Sequence, residues 1–350
     1  MTKFSVVIPV YNMGNSISNT IDTILSQTYD NYEIILVDDG STDNSGTICD
    51  SFAATYEKIK TIHTPNRGSG PARNAGIDVA TGDYVYFPDA DDLVDIHIFE
   101  ILDRIVSEKK YDLIVFGYRS LDKNGNIVSE KKYGSVEMTG NKIRSNYIDF
   151  VSMNAPYGIQ GAPWNKLFSM KIIRRHDIQF PPLRRHQDEG FIGRYMSHVD
   201  TVKFIEDVLY SYYTNDIGKE WDKYPKDYID AVIGLYECRK ENILLWNPQD
   251  SYTHHAIELA YITGVIKALE LSFSPKYDFN VKNRKAWIRQ IIDKSNIKEK
   301  NIAPEYHMRY QRTILSLIKV KFFNVLYLVL LTKVVMQSKF YYFFRIIKKL

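Results

Sequence analysis

Apolar and polar positions along the first third of the chain fall into short blocks whose period keeps changing. Phe4 to Pro9 and Ile34 to Val37 are compact apolar runs, too short for helices, and predict buried strands. Between them, Gly14 to Gln27 carries Ile17, Ile21, Ile24 and Leu25 at helical spacing. Asp43 to Tyr56 predicts a second helix, with Ser41, Thr42 or Asp43 able to cap it. A weak strand at Lys60 to His63, a helix over Gly70 to Ala80 and a strand at Tyr84 to Phe87 follow. Ile96 to Ser107 then reads as a helix and Asp112 to Tyr118 as a strand. Strands and helices alternating across short loops predict an α/β fold with a parallel, doubly wound sheet.

Beyond Tyr118 the alternation stops. Asp122-Lys-Asn-Gly125 is a hairpin signal, and Val202 to Tyr213 predicts a strand pair or a long edge strand. From about Asp222 to Asn296 apolar residues recur at helical spacing, with breaks near Asn247-Pro248 and Ser274-Pro275, which predicts about three helices. The expected organisation is an α/β part over 1–118, a continuation over 119–215, a helical subdomain over 216–312 and a tail over 313–350. Phe322 to Met336 is mostly apolar but is interrupted by Asn324, Thr332 and Lys333, and falls short of the ~18 to 20 residues that a span needs. Three readings stay open for it: a packed core helix, a helix lying in a membrane interface, and a span.

Charge sharpens the picture of the tail. From Thr313 onward there are seven basic residues and no Asp or Glu, and removing those seven from the formal +3 leaves −4 for the rest. An acidic body with a basic, aromatic tail (Phe340-Tyr-Tyr-Phe-Phe344) points to an anionic membrane surface as partner. The small overall charge gives no ground for nucleic acid. Two distant cysteines, Cys49 and Cys238, exclude a disulfide framework and a thiolate metal site, and fit a reducing compartment. Met-Thr-Lys-Phe-Ser-Val-Val-Ile-Pro enters a strand at once, without the pattern of a signal peptide, so the expectation is a cytoplasmic protein peripheral to the inner face of the membrane.

The candidate chemistry sits at strand ends. Tyr84 to Phe87 delivers three carboxylates, Asp89, Asp91 and Asp92, and the earlier strand delivers Asp38 and Asp39. Clustered carboxylates repel one another unless a cation or a donor-rich ligand neutralises them. Such groups suit a hard divalent ion, Mg²⁺ or Mn²⁺, which in turn carries phosphate oxygens. Two acidic loops at successive strand ends form the kind of rim where open α/β sheets bind ligands. Tyr11, in Pro9-Val-Tyr-Asn12, offers a ring for stacking a base. Arg67 and Arg73 flank Gly68 and Gly70 near a helix start, a suitable contact for a diphosphate.

These segments, with Ser26-Gln-Thr28, Ile35-Leu-Val-Asp-Asp-Gly-Ser-Thr-Asp43, Asn66-Arg-Gly and Ala72-Arg-Asn-Ala-Gly76, occur in an order that resembles the family 2 glycosyltransferases. The match is dense over residues 3 to 118 and sparse beyond. Pro163-Trp-Asn-Lys-Leu-Phe168 and Gln187-Asp-Glu189 are similar to acceptor-side motifs of bacterial capsule and exopolysaccharide members. The resemblance implies a GT-A fold, Rossmann-like and mostly parallel, with a C-terminal helical region. It also implies inverting transfer of a sugar from a nucleotide donor, UDP-linked, to a hydroxyl of a lipid-linked oligosaccharide. Pro9, Tyr11, Asp38, Asp39, Arg67, Arg73 and Asp89 would bind the donor, Asp91 with Asp89 the metal, and Trp164 the acceptor sugar. Many members carry Glu-Asp where this chain has Gln187-Asp188, which puts Asp188 in the place of the general base, with Glu189 as its neighbour and rival. Two other classes compete: a phosphatase-type hydrolase with Asp89 as nucleophile, and a non-catalytic sugar-nucleotide-binding protein of the same fold. Leu93 departs from the Thr or Val expected of the first, and an intact Asp188 argues against the second.

Overall fold

The computed structural model describes residues 1–146, 157–159, 161–214, 224, 227–246, 250–274, 277–303 and 308–339. The chain divides into two units, one of residues 1–216 with 241–248, the other of residues 217–240 with 249–350.

The first unit is built on one sheet. Its strands are β1 (Phe4–Val10), β2 (Tyr32–Asp38), β3 (Ile59–His63), β4 (Tyr84–Tyr86), β5 (Leu93–Val94), β6 (Leu113–Leu121), β7 (Ile127–Lys131), β8 (Val136–Thr139), β9 (Lys166–Ser169) and β10 (Thr201–Tyr213). They lie in the order β3-β2-β1-β4-β9-β6-β10-β5, with β7 on β6 and β8 on β10. The expected parallel block is present: β1 pairs parallel with β2 and β4, and β2 with β3. Beyond β4 the sheet becomes mixed, because β9 runs antiparallel between β4 and β6.

Both faces of the sheet are covered, which explains the unbroken apolar runs. Phe4, Val6, Ile8 and Val10 of β1 face one core with Ile17, Ile21 and Ile24 of helix α1 (Ile17–Leu25). Cys49 of α2 (Ser45–Thr55) joins them. Val7 faces the other, with Ala72 and Ile77 of α3 (Ser69–Val79). Gly76 is what lets α3 lie so close: a Cβ there would stand 2.2 Å from a methyl of Val7. Helices α4 (Ile98–Glu108), α5 (Gly140–Ser145), α6 (Met170–His176) and α7 (Gln187–Met196) follow among the described residues of the unit.

The segment read as a strand pair or edge strand is the single strand β10, and it is interior. It pairs parallel with β6 on one side and antiparallel with β8 and β5 on the other. The polar pair Glu206-Asp207 that broke the apolar pattern is exposed at an irregularity in the register between Phe204 and Val208.

The second unit is helical: α8 (Tyr228–Trp246, whose end belongs to the first unit), α9 (Ser251–Leu271), α10 (Val281–Ser295), α11 (Arg309–Lys319) and α12 (Phe323–Lys339). The stretch expected to be a separate tail from residue 313 is, in its described part, core structure. Ile314, Leu315 and Ile318 pack in one cluster with Leu326, Tyr327, Leu330 and Ile262, Val265 and Leu269 of α9. Buried Glu270 accepts from Tyr310 Oη at 2.9 Å and from Lys333, whose Nζ also lies 3.9 Å over the Tyr310 ring. No helix among the described residues is long and apolar enough to cross a membrane. The aromatic cluster 340–344 and the basic residues Arg345, Lys348 and Lys349 lie outside the described residues.

One polar staple fixes the parallel block. Glu33 is buried and accepts from Ser5 Oγ (2.7 Å), Thr81 N (2.6 Å), Thr81 Oγ1 (2.7 Å) and Lys60 Nζ (3.2 Å). Burial pushes its carboxyl up, but the bonds from Thr81, Ser5 and Lys60 outweigh that and hold it at about 2, below the usual 4.5. A depressed carboxyl stabilises the fold above its unfolded value and loses that contribution as pH falls toward its folded value. Glu33→Gln should therefore cost about 3 kcal/mol at pH 7, and the gap to wild type should close between pH 4.5 and about 2 in denaturant unfolding.

Candidate active site

The ends of β1, β2 and β4 gather the sequence-predicted residues at one edge of the parallel block. Pro9 pairs with Val37, and Val10 with Asp38. Tyr11 follows directly and is 43% exposed, so its ring remains available at the rim. Asn12, at φ 53°, accepts from Thr42 N at 2.8 Å, which ties the loop after β1 to the loop after β2.

Asp38 and Asp39 are both buried, and the structure gives both local work that the sequence left open. Asp38 accepts from Ser41 N at 3.0 Å and meets His63 Nδ1 at 2.9 Å, while His63 Nε2 meets Asp50 at 3.0 Å. Burial raises the Asp38 carboxyl, and the Ser41 and His63 bonds overcome this and hold it below its ordinary value. Asp39 accepts from Arg67 N (3.0 Å), Gly68 N (2.7 Å) and Thr64 Oγ1 (3.2 Å). Gly68, at φ 97°, makes the turn that aims those two amides and leads into α3. The Arg67 side chain is exposed at the rim above this turn.

Arg73 lies one helical turn into α3 and is only 2% exposed. Its Nη2 donates to Asp89 Oδ1 at 2.6 Å and its Nη1 to Asp188 Oδ1 at 2.9 Å. One guanidinium thus joins the loop after β4 to the first turn of α7, across 115 residues of sequence. The expected phosphate contact is committed to two carboxylates. Gln187, in the place of the expected Glu, packs its stem against Gly70 and donates from Nε2 to Ser69 Oγ at 2.6 Å, closing the start of α3 on the start of α7.

Asp188 sits at the N-terminal end of α7, where the helix dipole favours a carboxylate. Its side chain keeps 31% of its surface exposed. Burial raises its carboxyl, Arg73 lowers it, Asp89 raises it and Lys166 lowers it, leaving it at about 6. Glu189 instead backs onto Gly161, where a Cβ would lie 3.3 Å from the Glu189 Cβ.

The three carboxylates after β4 separate by role. Asp92 is neither a helix cap nor open to the site: it is buried, accepting from Tyr210 Oη at 2.5 Å and Tyr213 N at 3.1 Å. Burial dominates its titration, with Asp89 and Asp91 adding to it and the Tyr210 bond opposing, which pushes it up to about 8. Tyr210 Oη also accepts from Asp89 N at 3.1 Å, so one tyrosine shapes the loop. Trp164 is half-buried and stacks on Tyr210, ring centroids 4.7 Å apart, with the edge contact of Tyr118 at 4.7 Å.

No group of three or more His, Cys, Asp or Glu side chains among the described residues stands ready to hold a metal unaided. Asp91 and Asp89 leave two carboxylates on one loop. Burial, then the charge of Asp89, pushes the Asp91 carboxyl up, a state that a cation would relieve. Such a pair fits a divalent ion that takes its remaining oxygens from water and a diphosphate.

Comparison with known proteins agrees with this geometry. The family model described as Glycosyl transferase family 2 matches residues 5–162. The glycosyltransferase GlyG of Streptococcus pneumoniae serotype 4 is 36% identical over 213 residues, covering 59% of this chain and 69% of its own length. Among solved structures, TarS 1-349 of S. aureus in complex with UDP-GlcNAc superposes with a TM-score of 0.63 at 19% identity, over 95% of this chain and 91% of that one. The mannosyltransferase PcManGT from Pyrobaculum calidifontis, solved with GDP-Man and Mn²⁺, gives a TM-score of 0.52 at 14% identity, over 95% and 87%. At these identities the structural likeness establishes the fold, a central sheet flanked by helices of GT-A type with a helical C-terminal region.

The bridge predicts its own mutational signature. Arg73→Met leaves Asp89 and Asp188 without the guanidinium they share and should cost about 3 kcal/mol in denaturant unfolding. Arg73→Lys should recover only part, because an ammonium cannot fork to two carboxylates as a guanidinium does.

Proposed function

The chain belongs to glycosyl transferase family 2, and from that membership we propose that it moves one sugar from a UDP-linked donor to a hydroxyl of a lipid-linked oligosaccharide, with inversion, in surface polysaccharide assembly. The observation that carries the reading is the placement of Asp188: a partly exposed carboxylate at a helix N-terminus, tied through Arg73 to the acidic loop after β4. The fold's likeness to a protein solved with UDP-GlcNAc supports a UDP donor.

In this reading Tyr11 stacks on the base, and Asp39 and Asp38 hold the loops that receive the nucleoside. Arg67 and the start of α3 take the diphosphate. Asp91 and Asp89 would hold Mn²⁺ or Mg²⁺, which when bound neutralises charge developing on the leaving diphosphate. Asp188 takes the proton of the acceptor hydroxyl as its oxygen attacks the anomeric carbon from the face opposite the leaving group. A carboxyl at about 6 is ionised at neutral pH and still accepts a proton better than an ordinary carboxylate. Trp164 lines the acceptor side. Family membership displaces the phosphatase-type alternative.

A panel of nucleotide sugars with Mn²⁺, scored by release of nucleoside diphosphate, tests the reading. Asp188→Asn should lower turnover by ~10² to 10⁴ while diphosphate binding by calorimetry stays near wild type. Wild-type turnover should fall as pH drops through about 6, and Glu189→Gln should be mild. Turnover that survives Asp188→Asn but not Glu189→Gln moves the base to Glu189; diphosphate binding without turnover of any donor favours a non-catalytic binder.

The acceptor side of the proposal rests on α12. Opposite its buried face, Val325, Leu328, Val335 and Met336 are exposed, with Phe322 exposed just before the helix, a run of apolar surface that suits a partner. Arg309 to Lys339 contains no acidic residue, and the sequence continues into the aromatic cluster and three further basic residues. These features suit docking on the anionic inner leaflet, each basic residue adding about 1 kcal/mol. Val325→Ser with Leu328→Ser should weaken co-sedimentation with anionic vesicles about tenfold or more, leaving turnover of a soluble acceptor analogue intact. Unchanged co-sedimentation would assign the stripe another partner.

A further inference from the structure

Tyr210 lies inside β10 with only 1% of its surface exposed, so its ring is core and offers nothing to a ligand. Phenylalanine would fill that space without a polar oxygen to satisfy. Here the oxygen is used twice. Oη donates to Asp92 Oδ2 at 2.5 Å and accepts from Asp89 N at 3.1 Å. One hydroxyl therefore holds both ends of the segment Asp89-Ala-Asp-Asp92, which leads from β4 to β5, and Asp91 lies between the held ends.

The hydroxyl itself is placed by regular structure. Tyr210 pairs across the sheet with Val94 of β5 and with Tyr118 of β6. Trp164 stacks on its ring, centroids 4.7 Å apart and planes 10° apart, and in turn meets Tyr118 at 4.7 Å and Tyr212 at 5.4 Å. The segment that the hydroxyl holds is irregular backbone, tied further where Asp92 Oδ1 accepts from Tyr213 N at 3.1 Å and Asp92 O from Thr20 Oγ1 at 2.8 Å. From the other side Arg73 fixes the Asp89 carboxylate.

Resting on the reading that Asp91 and Asp89 hold a divalent ion, we infer that Tyr210 is a positioning residue for that ion, acting through the backbone from which the two carboxylates project. Two carboxylates give a cation few protein oxygens, so its affinity depends on their being held in place before it arrives. Arg73 reaches the side chain of Asp89, whereas Tyr210 ties the backbone of Asp89 to the far end of the same segment. Removing the hydroxyl frees Asp89 N and Asp92 Oδ2 together, while the ring and its stack on Trp164 stay.

Calorimetry of UDP with the full chain, once in EDTA and once in excess Mn²⁺, tests this without a sugar or an acceptor. Mn²⁺ should tighten UDP binding in the wild type. In Tyr210→Phe that tightening should shrink about tenfold, while UDP affinity in EDTA stays within about twofold of wild type. Glu33→Gln, which costs stability in the same sheet, should keep the full Mn²⁺ effect, so general destabilisation does not imitate the result. Asp92→Asn can accept only one of the two bonds that the carboxylate takes and should also reduce the tightening. The double variant should lose no more than the larger single, because both act on one link. Full tightening in Tyr210→Phe, or losses that add in the double variant, overturns the inference. If Tyr210→Phe does not fold, Asp92→Asn decides: reduced tightening supports the inference and wild-type tightening overturns it. A wild type whose UDP binding ignores Mn²⁺ overturns the metal reading, and the inference with it.

Discussion

Arg73 is the pin on which the site is assembled. Three constraints meet in it: α3 must lie hard against the sheet, the loop after β4 must turn back toward α3, and α7 must begin beside both. Gly76 against Val7 satisfies the first. Tyr210, bonding Asp92 and Asp89 N, satisfies the second. Gln187 closing on Gly70 and Ser69 satisfies the third. With those in place a single buried guanidinium reaches Asp89 and Asp188 at once. Unneutralised, the two carboxylates would repel each other.

The same arrangement divides labour among groups of one chemical type. Asp92 is withdrawn from the site and pushed up by burial, Asp91 remains at the rim with a charge to be met, and Asp89 shares Arg73 with Asp188. Environment, not residue identity, separates these carboxylates: one is buried and held by Tyr210, one is raised by burial and its neighbour, and one is shared through a guanidinium. Asp38 and Asp39 extend the pattern, because both spend hydrogen-bond capacity on the loops after β2 and β3.

The parallel block was legible because strands covered on both faces leave continuous apolar runs, as at Phe4–Val10 and Tyr32–Asp38. The mixed half was harder. β9 is four residues long and carries Lys166, and β10 hides its continuity behind Glu206-Asp207. The identities of Asp188, Asp89 and Arg73 could be read from local motifs, but not their pairing, which spans 115 residues and depends on how three elements pack. The burial of Lys166 is not legible in the sequence, since lysine is a residue type that is usually exposed. The α12 stretch was ambiguous for a physical reason: one apolar face enters a core and another remains outside, so its polar positions mark neither cleanly.

The central claim is spatial: the donor sugar lies between the acidic loop after β4 and Asp188. A crystal structure of the protein with a nucleotide sugar and Mn²⁺ tests it most directly. The account predicts the diphosphate on the side of Asp91 and Asp89, and the face of the anomeric carbon opposite the leaving oxygen turned toward the Asp188 carboxylate. A donor whose free anomeric face meets Glu189, or no carboxylate at all, would contradict it.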